Sequence, residues 1–211
     1  MALTALILYL IFAALGFGWR SWVQYRRTGS TGFRGMNGQP GSLEWLAGAG
    51  FIVAIIVGVS APVAQLFGLL TPIPVLQTPW IQAFGTVLAV AGIAATVYAQ
   101  LDMGESWRIG VDPSETTALV RNGVFGAVRN PIFTAMLVFA AGITLMTPNP
   151  IALLGFIVVL ATIELQVRIV EEPYLLRTHG QAYRDYCAGV GRFLPGIGRG
   201  EIRHRRPSGS R

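Results

Sequence analysis

The chain contains no lysine: all 16 of its basic residues are arginine. That excludes Schiff-base chemistry and a phosphate-loop lysine, and it leaves permanently charged, forked donors suited to carboxylate or phosphate partners. A single cysteine, Cys187, permits no internal disulfide and no multi-cysteine zinc pattern. It reads as a small interfacial hydrophobe. The two histidines, His179 and His204, lack a credible metal partner, so no metal is expected. Charge itself is scarce. Only 12% of the 211 residues are charged, against 53% hydrophobic, and the mean hydropathy is +0.55. Such a chain is too apolar for an ordinary soluble domain and reads as one small, all-α integral membrane protein.

What is present in quantity is long apolar runs, at about 2–19, 45–70, 80–101, 131–147 and 150–167, each near the roughly 20 helical residues that cross a hydrocarbon core. Five transmembrane helices are expected. The first is read as a retained span and not a signal peptide, because its apolar run has no positive region before it and is followed by Arg20. Thr147-Pro148-Asn149-Pro150 separates the last two spans, and its prolines predict a tight antiparallel hairpin.

The arginines orient the spans. Arg20, Arg26, Arg27 and Arg34 follow the first, Arg108, Arg121 and Arg129 lie between the third and fourth, and the other nine fall at or after the end of the fifth. Segments 71–79 and 147–150 carry no charge. The positive-inside tendency therefore puts the N-terminus outside and the C-terminus in the cytoplasm. The same placement accounts for a net charge of +6 without nucleic acid, because cytoplasmic arginines sit against anionic headgroups. Arginine without lysine, with abundant glycine and alanine, points to a GC-rich bacterial genome and so to a bacterial inner membrane. Oligomeric state is not legible.

Residues 29–42 read as a flexible cytoplasmic loop, since no Gly-Lys-Ser/Thr ending makes them a phosphate cradle. Trp107 and Arg108 read as an interfacial anchor and a topology charge. Residues 1–198 form one membrane domain and 199–211 a basic, disordered tail.

Two segments hold the polar groups that chemistry needs. The first, Gly123-Val124-Phe125-Gly126-Ala127-Val128-Arg129-Asn130-Pro131-Ile132-Phe133, opens the fourth span. The second lies on the fifth helix, where Glu164, Arg168, Glu171 and Glu172 stand at i, i+4, i+7 and i+8 and so share one face of a regular helix. That stripe either faces a polar cavity or holds a self-neutralising pair at a solvated helix end. After Pro173 an amphipathic interfacial helix is expected over about 174–188. Its Tyr183 and Tyr186 either anchor at the surface or line a pocket.

Arg129-Asn130-Pro131-Ile132-Phe133, Glu171-Glu172, Tyr183, Tyr186 and Arg192-Phe193-Leu194-Pro195 together make residues 102–196 resemble the isoprenylcysteine carboxyl methyltransferase family and its phospholipid methyltransferase relatives. Asn130 stands where the family pattern has histidine, Phe133 where it has tyrosine, Ala135 for a usual glycine and Val124 for the turn proline. The resemblance implies S-adenosyl-L-methionine held at the cytoplasmic side by Gly123, Phe125, Arg129, Asn130, Pro131, Phe133, Glu171, Glu172 and Tyr183. Arg129 would meet the methionyl carboxylate, and the carboxylates and aromatic faces would hold the sulfonium. The partner implied is a lipid or isoprenoid acceptor entering from the membrane. Arg168 would orient a carboxylate acceptor, whereas Glu164 or Glu171 would take a proton from an amine acceptor. A nicotinamide-dependent membrane reductase, resembling the steroid reductases, is the alternative enzyme class.

Overall fold

The computed structural model describes residues 1–33, 35, 38–110 and 118–200. Six helical elements account for the architecture: α1 (Ala2–Thr28), α2 (Leu43–Leu66), α3 (Pro79–Met103), α4 (Pro131–Met146), α5 (Pro150–His179) and α6 (Gln181–Gly189). No strand forms among the described residues, only isolated bridges.

Four helices are long and apolar enough to cross a membrane: α1, α2, α5 and Pro79–Ser106, which is α3 with its following turn. The fourth of the expected spans, α4, is shorter at 16 residues. At about 1.5 Å per residue it is roughly 24 Å long, under the ~30 Å of a hydrocarbon core. Proline sets its first turn, and its last turn closes just before Thr147-Pro148. The first and fifth helices overrun the expected span ends, because polar residues that prefer water are still good helix formers.

Small residues set the helix packing. A Cβ at Gly92 would stand 2.7 Å from Phe139 Cα, and one at Gly85 would stand 2.8 Å from Gly142 O, so α3 and α4 approach backbone to backbone. Where lipid is as apolar as a side chain, such close approach supplies the van der Waals contact that drives helix association. Phe12 stacks on Phe139 at 4.2 Å and Tyr9 meets it edge-on at 5.3 Å, locking α1 against α4. Leu10, Ile56, Phe84 and Val87 are exposed on outer helix faces, as lipid-facing residues are.

The α4–α5 hairpin forms as expected. Asn149 is fully buried and works three ways: Oδ1 accepts from Ala152 N at 2.9 Å, and Nδ2 donates to Ala61 O and Gln65 Oε1 at 3.2 and 3.1 Å. One side chain thus caps α5 and ties the turn to α2.

Two wide π-turns interrupt the long helices, at Ala14–Trp19 in α1 and Gln166–Glu171 in α5. In the first, Gly16 O accepts from Gln100 Nε2 of α3 at 2.9 Å. Parts of the 29–42 loop are tied down: Ile109 N donates to Gly32 O at 2.7 Å, and Gly32, at φ +76°, lies so close to Trp107 that a Cβ would touch its ring. Residues 34, 36 and 37 of that loop lie outside the described residues, as do 201–211 of the expected tail. The beginning of the tail is attached, since Gly200 N donates to Cys187 O at 3.4 Å.

Candidate active site

A cavity of about 730 Å³ runs between α1, α2, α3, α4 and α5 and opens into the polar segments at one end. From Pro131 to Thr144, α4 lines it over roughly 20 Å of helix. Its wall is mostly apolar through the bundle, with Tyr9, Phe51, Gly58, Phe139 and Gly155 among the contributors and Thr96, Gln100 and Thr144 as polar exceptions. Polar groups collect at the other end: Arg108, Arg129, Asn130, Gln166, Glu171, Tyr183 and Tyr186. The volume lies within the ~300–1,000 Å³ usual for small-molecule sites, and a mostly apolar lining with a few convergent polar groups is their usual character.

The structure divides the residues expected at the site. Phe125, Arg129, Asn130, Pro131, Phe133, Glu171 and Tyr183 line the cavity. Gly123, Glu164, Arg168 and Glu172 do not. The single-face stripe on the fifth helix is therefore split, and the π-turn at Gln166–Glu171 is the cause. One extra residue in a turn retards the helix phase by roughly 100°, so residues on either side of it leave the common face. Arg168 pairs through Nε with Glu164 Oε2 on the outside, their side chains 53% and 36% exposed. This is the self-neutralising arrangement.

Glu171 and Glu172 also part company. Glu171 faces the cavity, held by Gln166 Nε2 at 3.4 Å. Glu172 is buried away from it, accepting from Arg192 Nε and Nη2 at 2.7 and 3.1 Å and standing 3.4 Å from Arg129 Nη1. The hydrogen bond from Arg192 to Glu172 holds the Arg192 guanidinium above its ordinary pKa, against the opposing effect of burial.

Arg129 is correspondingly committed to the protein. Nη1 donates to Cys187 Sγ at 2.5 Å and Nη2 to Gly198 O at 2.8 Å. Its backbone N donates to Gly191 O at 2.8 Å, and Asn130 N and Nδ2 both donate to Arg192 O at 3.1 Å. Thr134 Oγ1 adds a bond to Phe193 O at 2.8 Å. Arg129-Asn130 is thus a latch that fastens residues 191–198 across the start of α4. Asn130 performs this role with an amide donor and a lone backbone N–H, neither of which requires a titrating ring.

Gly123 sits at φ +58° beside Asp102, whose Oδ2 accepts from Val124 N at 2.8 Å. The turn it makes aims Phe125, whose carbonyl accepts from Tyr186 Oη at 2.5 Å. Tyr183 and Tyr186 are buried and line the cavity, so they are not surface anchors. Burial pushes the Tyr186 hydroxyl up to about 12, against the pull of Arg129, and raises Tyr183 further. Both remain neutral phenols at physiological pH. The expected helix at 174–188 is real but broken at Gly180, φ +52°, where α5 ends and α6 begins.

Several participants were not legible as such. Trp107 is 3% exposed and lines the cavity, where an interfacial anchor was expected. Arg20 is 1% exposed, stacks over the Trp107 ring at 4.6 Å and donates through Nη2 to Gly104 O at 2.5 Å. Gln24 Nε2 donates to Glu105 O at 2.8 Å. For Arg20 the available signal was a charge placed directly at the end of an apolar run, where facing lipid is costly; nothing local marked Gln24 or Trp107.

Known proteins bear on this arrangement. Residues 80–182 match the family described as phospholipid methyltransferase. Protein-S-isoprenylcysteine O-methyltransferases A and B of Arabidopsis thaliana are 27% and 29% identical over 118 residues, 55% of this chain and 60% of theirs. The chain thus spans about 60% of the length of these curated relatives. A solved structure of the eukaryotic intramembrane Ras methyltransferase ICMT superposes with a TM-score of 0.59 at 21% identity, covering 85% of this chain and 61% of that one. The architecture is therefore that of an integral membrane protein with an intramembrane methyltransferase fold. In sequence the chain is similar to the isoprenylcysteine O-methyltransferases and to the phospholipid methyltransferase family, and in fold to the solved ICMT, as its motifs imply.

Proposed function

We propose that this protein is a membrane methyltransferase that moves a methyl group from S-adenosyl-L-methionine to the carboxylate of an isoprenoid or other lipid-like acceptor at the cytoplasmic face. The observation that carries this reading is one continuous cavity, mostly apolar through the bundle and polar at one end. An apolar tail gains roughly 0.8 kcal/mol per buried methylene, so the acceptor reaches the polar end without leaving an apolar medium. The similarity to isoprenylcysteine O-methyltransferases supports the reaction class.

The polar end fits the donor. When bound, S-adenosyl-L-methionine supplies an electrophilic methyl on a sulfonium. Glu171 offers that cation a carboxylate, and Phe125 and Tyr183 offer it ring faces. Phe133, stacked on Phe51 at 6.0 Å, continues the aromatic wall toward the tail. Glu172, Arg129, Gly123 and Pro131 act indirectly, by shaping and fastening this end. Arg168, exposed on α5 and paired with Glu164, does not line the cavity; the role we assign it is to meet an acceptor carboxylate at the bilayer side as it enters, before it reaches the polar end. A carboxylate is already ionised near neutral pH and needs no general base, so what remains is alignment of nucleophile and methyl. The orientation proposed has the N-terminus outside and the polar end cytoplasmic.

The description of the matching family favours a second reading, methylation of a phospholipid amine. Glu171 is then the group placed to take the amine proton. Titrating the purified protein with S-adenosylhomocysteine and with NADPH tests the class, the former being expected to bind; binding of NADPH alone would overturn both readings in favour of a reductase. Labelled-methyl transfer into lipid extracts, resolved by mass spectrometry, separates ester from amine products.

A further inference from the structure

Arg108 differs from the other arginines near the cavity. Arg129 is committed to Glu172, Cys187 and Gly198, and Arg168 to Glu164 on the outer face. Arg108 lines the cavity, and among the described residues it makes no ion pair. Its Nη1 is buried without a hydrogen-bond partner; Arg129 Nε and two nitrogens of Arg20 share that state, but Arg129 is ion-paired and Arg20 does not line the cavity. A buried donor left unsatisfied costs about 1–3 kcal/mol, and more when charged. The group is nevertheless held in place. Its guanidinium lies 5.2 Å from the Tyr174 ring centroid, and the next residue, Ile109, is pinned by its N–H to Gly32 O and its bridge to Phe33. Arg108 and Glu171 line the same cavity, and no ion pair joins them among the described residues. A positioned cation and a positioned carboxylate therefore stand apart at the polar end of one cavity.

We propose that Arg108 is the carboxylate receptor of this cavity, its free Nη1 completing its bonding only when a ligand carboxylate arrives. This rests on the methyltransferase reading and deepens it. Two ligands of such an enzyme carry the group: the methyl donor, through its methionyl end, and a carboxylate acceptor. A forked, charge-assisted pair is among the stronger contacts an arginine makes, and Arg108 is half-buried with its Nη1 out of reach of solvent. Glu171 sits at the same end to balance the ammonium or sulfonium of the donor.

The test uses the full chain in lipid nanodiscs and compares wild type with Arg108→Gln and Arg108→Lys. Each carboxylate ligand is paired with a counterpart lacking that group: S-adenosylhomocysteine with 5′-methylthioadenosine, and a prenylated cysteine with its carboxamide. Arg108→Gln is expected to weaken one carboxylate ligand about tenfold or more, near 1.4 kcal/mol, and to leave its counterpart within about twofold, while Arg108→Lys recovers part of the loss. A loss confined to S-adenosylhomocysteine assigns the donor carboxylate; a loss confined to the prenylated cysteine assigns the acceptor. Unchanged affinity for both, or an equal loss of the carboxylate-free counterparts, overturns the proposal while wild-type binding leaves the methyltransferase reading standing. A wild type that binds neither nucleoside overturns that reading and this one together.

Discussion

Glu171 and Glu172 are neighbours in the chain and face opposite tasks: Glu171 lines the cavity beside Gln166, while Glu172 is buried in an ion pair with Arg192 and Arg129. Glu172→Gln removes the one carboxylate shared by two largely buried guanidinium groups, and breaking such a pair typically costs about 3–5 kcal/mol. A large fall in thermal stability is expected, measured by the midpoint of unfolding in detergent. Glu171→Gln should leave that midpoint nearly unchanged and instead weaken donor binding and methyl transfer. Equal stability losses in the two variants would contradict the division of roles.

Arg168 and Glu164 form an exposed i,i+4 pair. Such pairs contribute about 0–1 kcal/mol, so Arg168→Ala should barely change the unfolding midpoint. Its diagnostic readout is kinetic. A raised KM for a carboxylate acceptor with unchanged donor affinity supports the role assigned to it; unchanged kinetics would remove Arg168 from the mechanism.

The far end of the cavity is lined by Gly58 and Gly155, where α2 and α5 approach closely. Gly155→Leu would fill that end, and overpacking there costs typically 1–3 kcal/mol. The expected outcome is a shift of acceptor preference toward shorter apolar tails, read from relative kcat/KM across a chain-length series. An unchanged preference would mean that tails do not extend that far.

Cys187 is fully buried and accepts from Arg129, and burial pushes its thiol above its ordinary pKa, with Arg129 pulling the other way. A thiol whose folded pKa is raised gives stability that is complete below the unfolded value, near 8.5, and is lost as pH rises through the folded value. Cys187→Ala should therefore flatten the alkaline side of the stability profile above about pH 8.5. Native-state alkylation of Cys187 should be slow at pH 7–8 and faster in Arg129→Ala. Rapid labelling of the wild type would show the thiol to be accessible.

The sequence by itself determined what depends on composition and local chemistry. Apolar runs specified the helices, Pro148 and Pro150 the hairpin, and the clustered Arg129, Glu171, Tyr183 and Tyr186 the family resemblance and one end of a cavity. Only the tertiary structure decided which of those residues face inward. The stripe from Glu164 to Glu172 assumes an unbroken 3.6-residue period, and the π-turn at Gln166–Glu171 shifts the phase, sending Arg168 out and leaving Glu171 in. Arg108, Trp107 and Arg20 looked like interfacial residues because their positions depend on distant partners: Tyr174 for the first, Gly32 and the Arg20 guanidinium for the second, Gly104 for the third. Spacing along a chain reports neighbours within a helix; it carries no record of which helix comes to lie beside it.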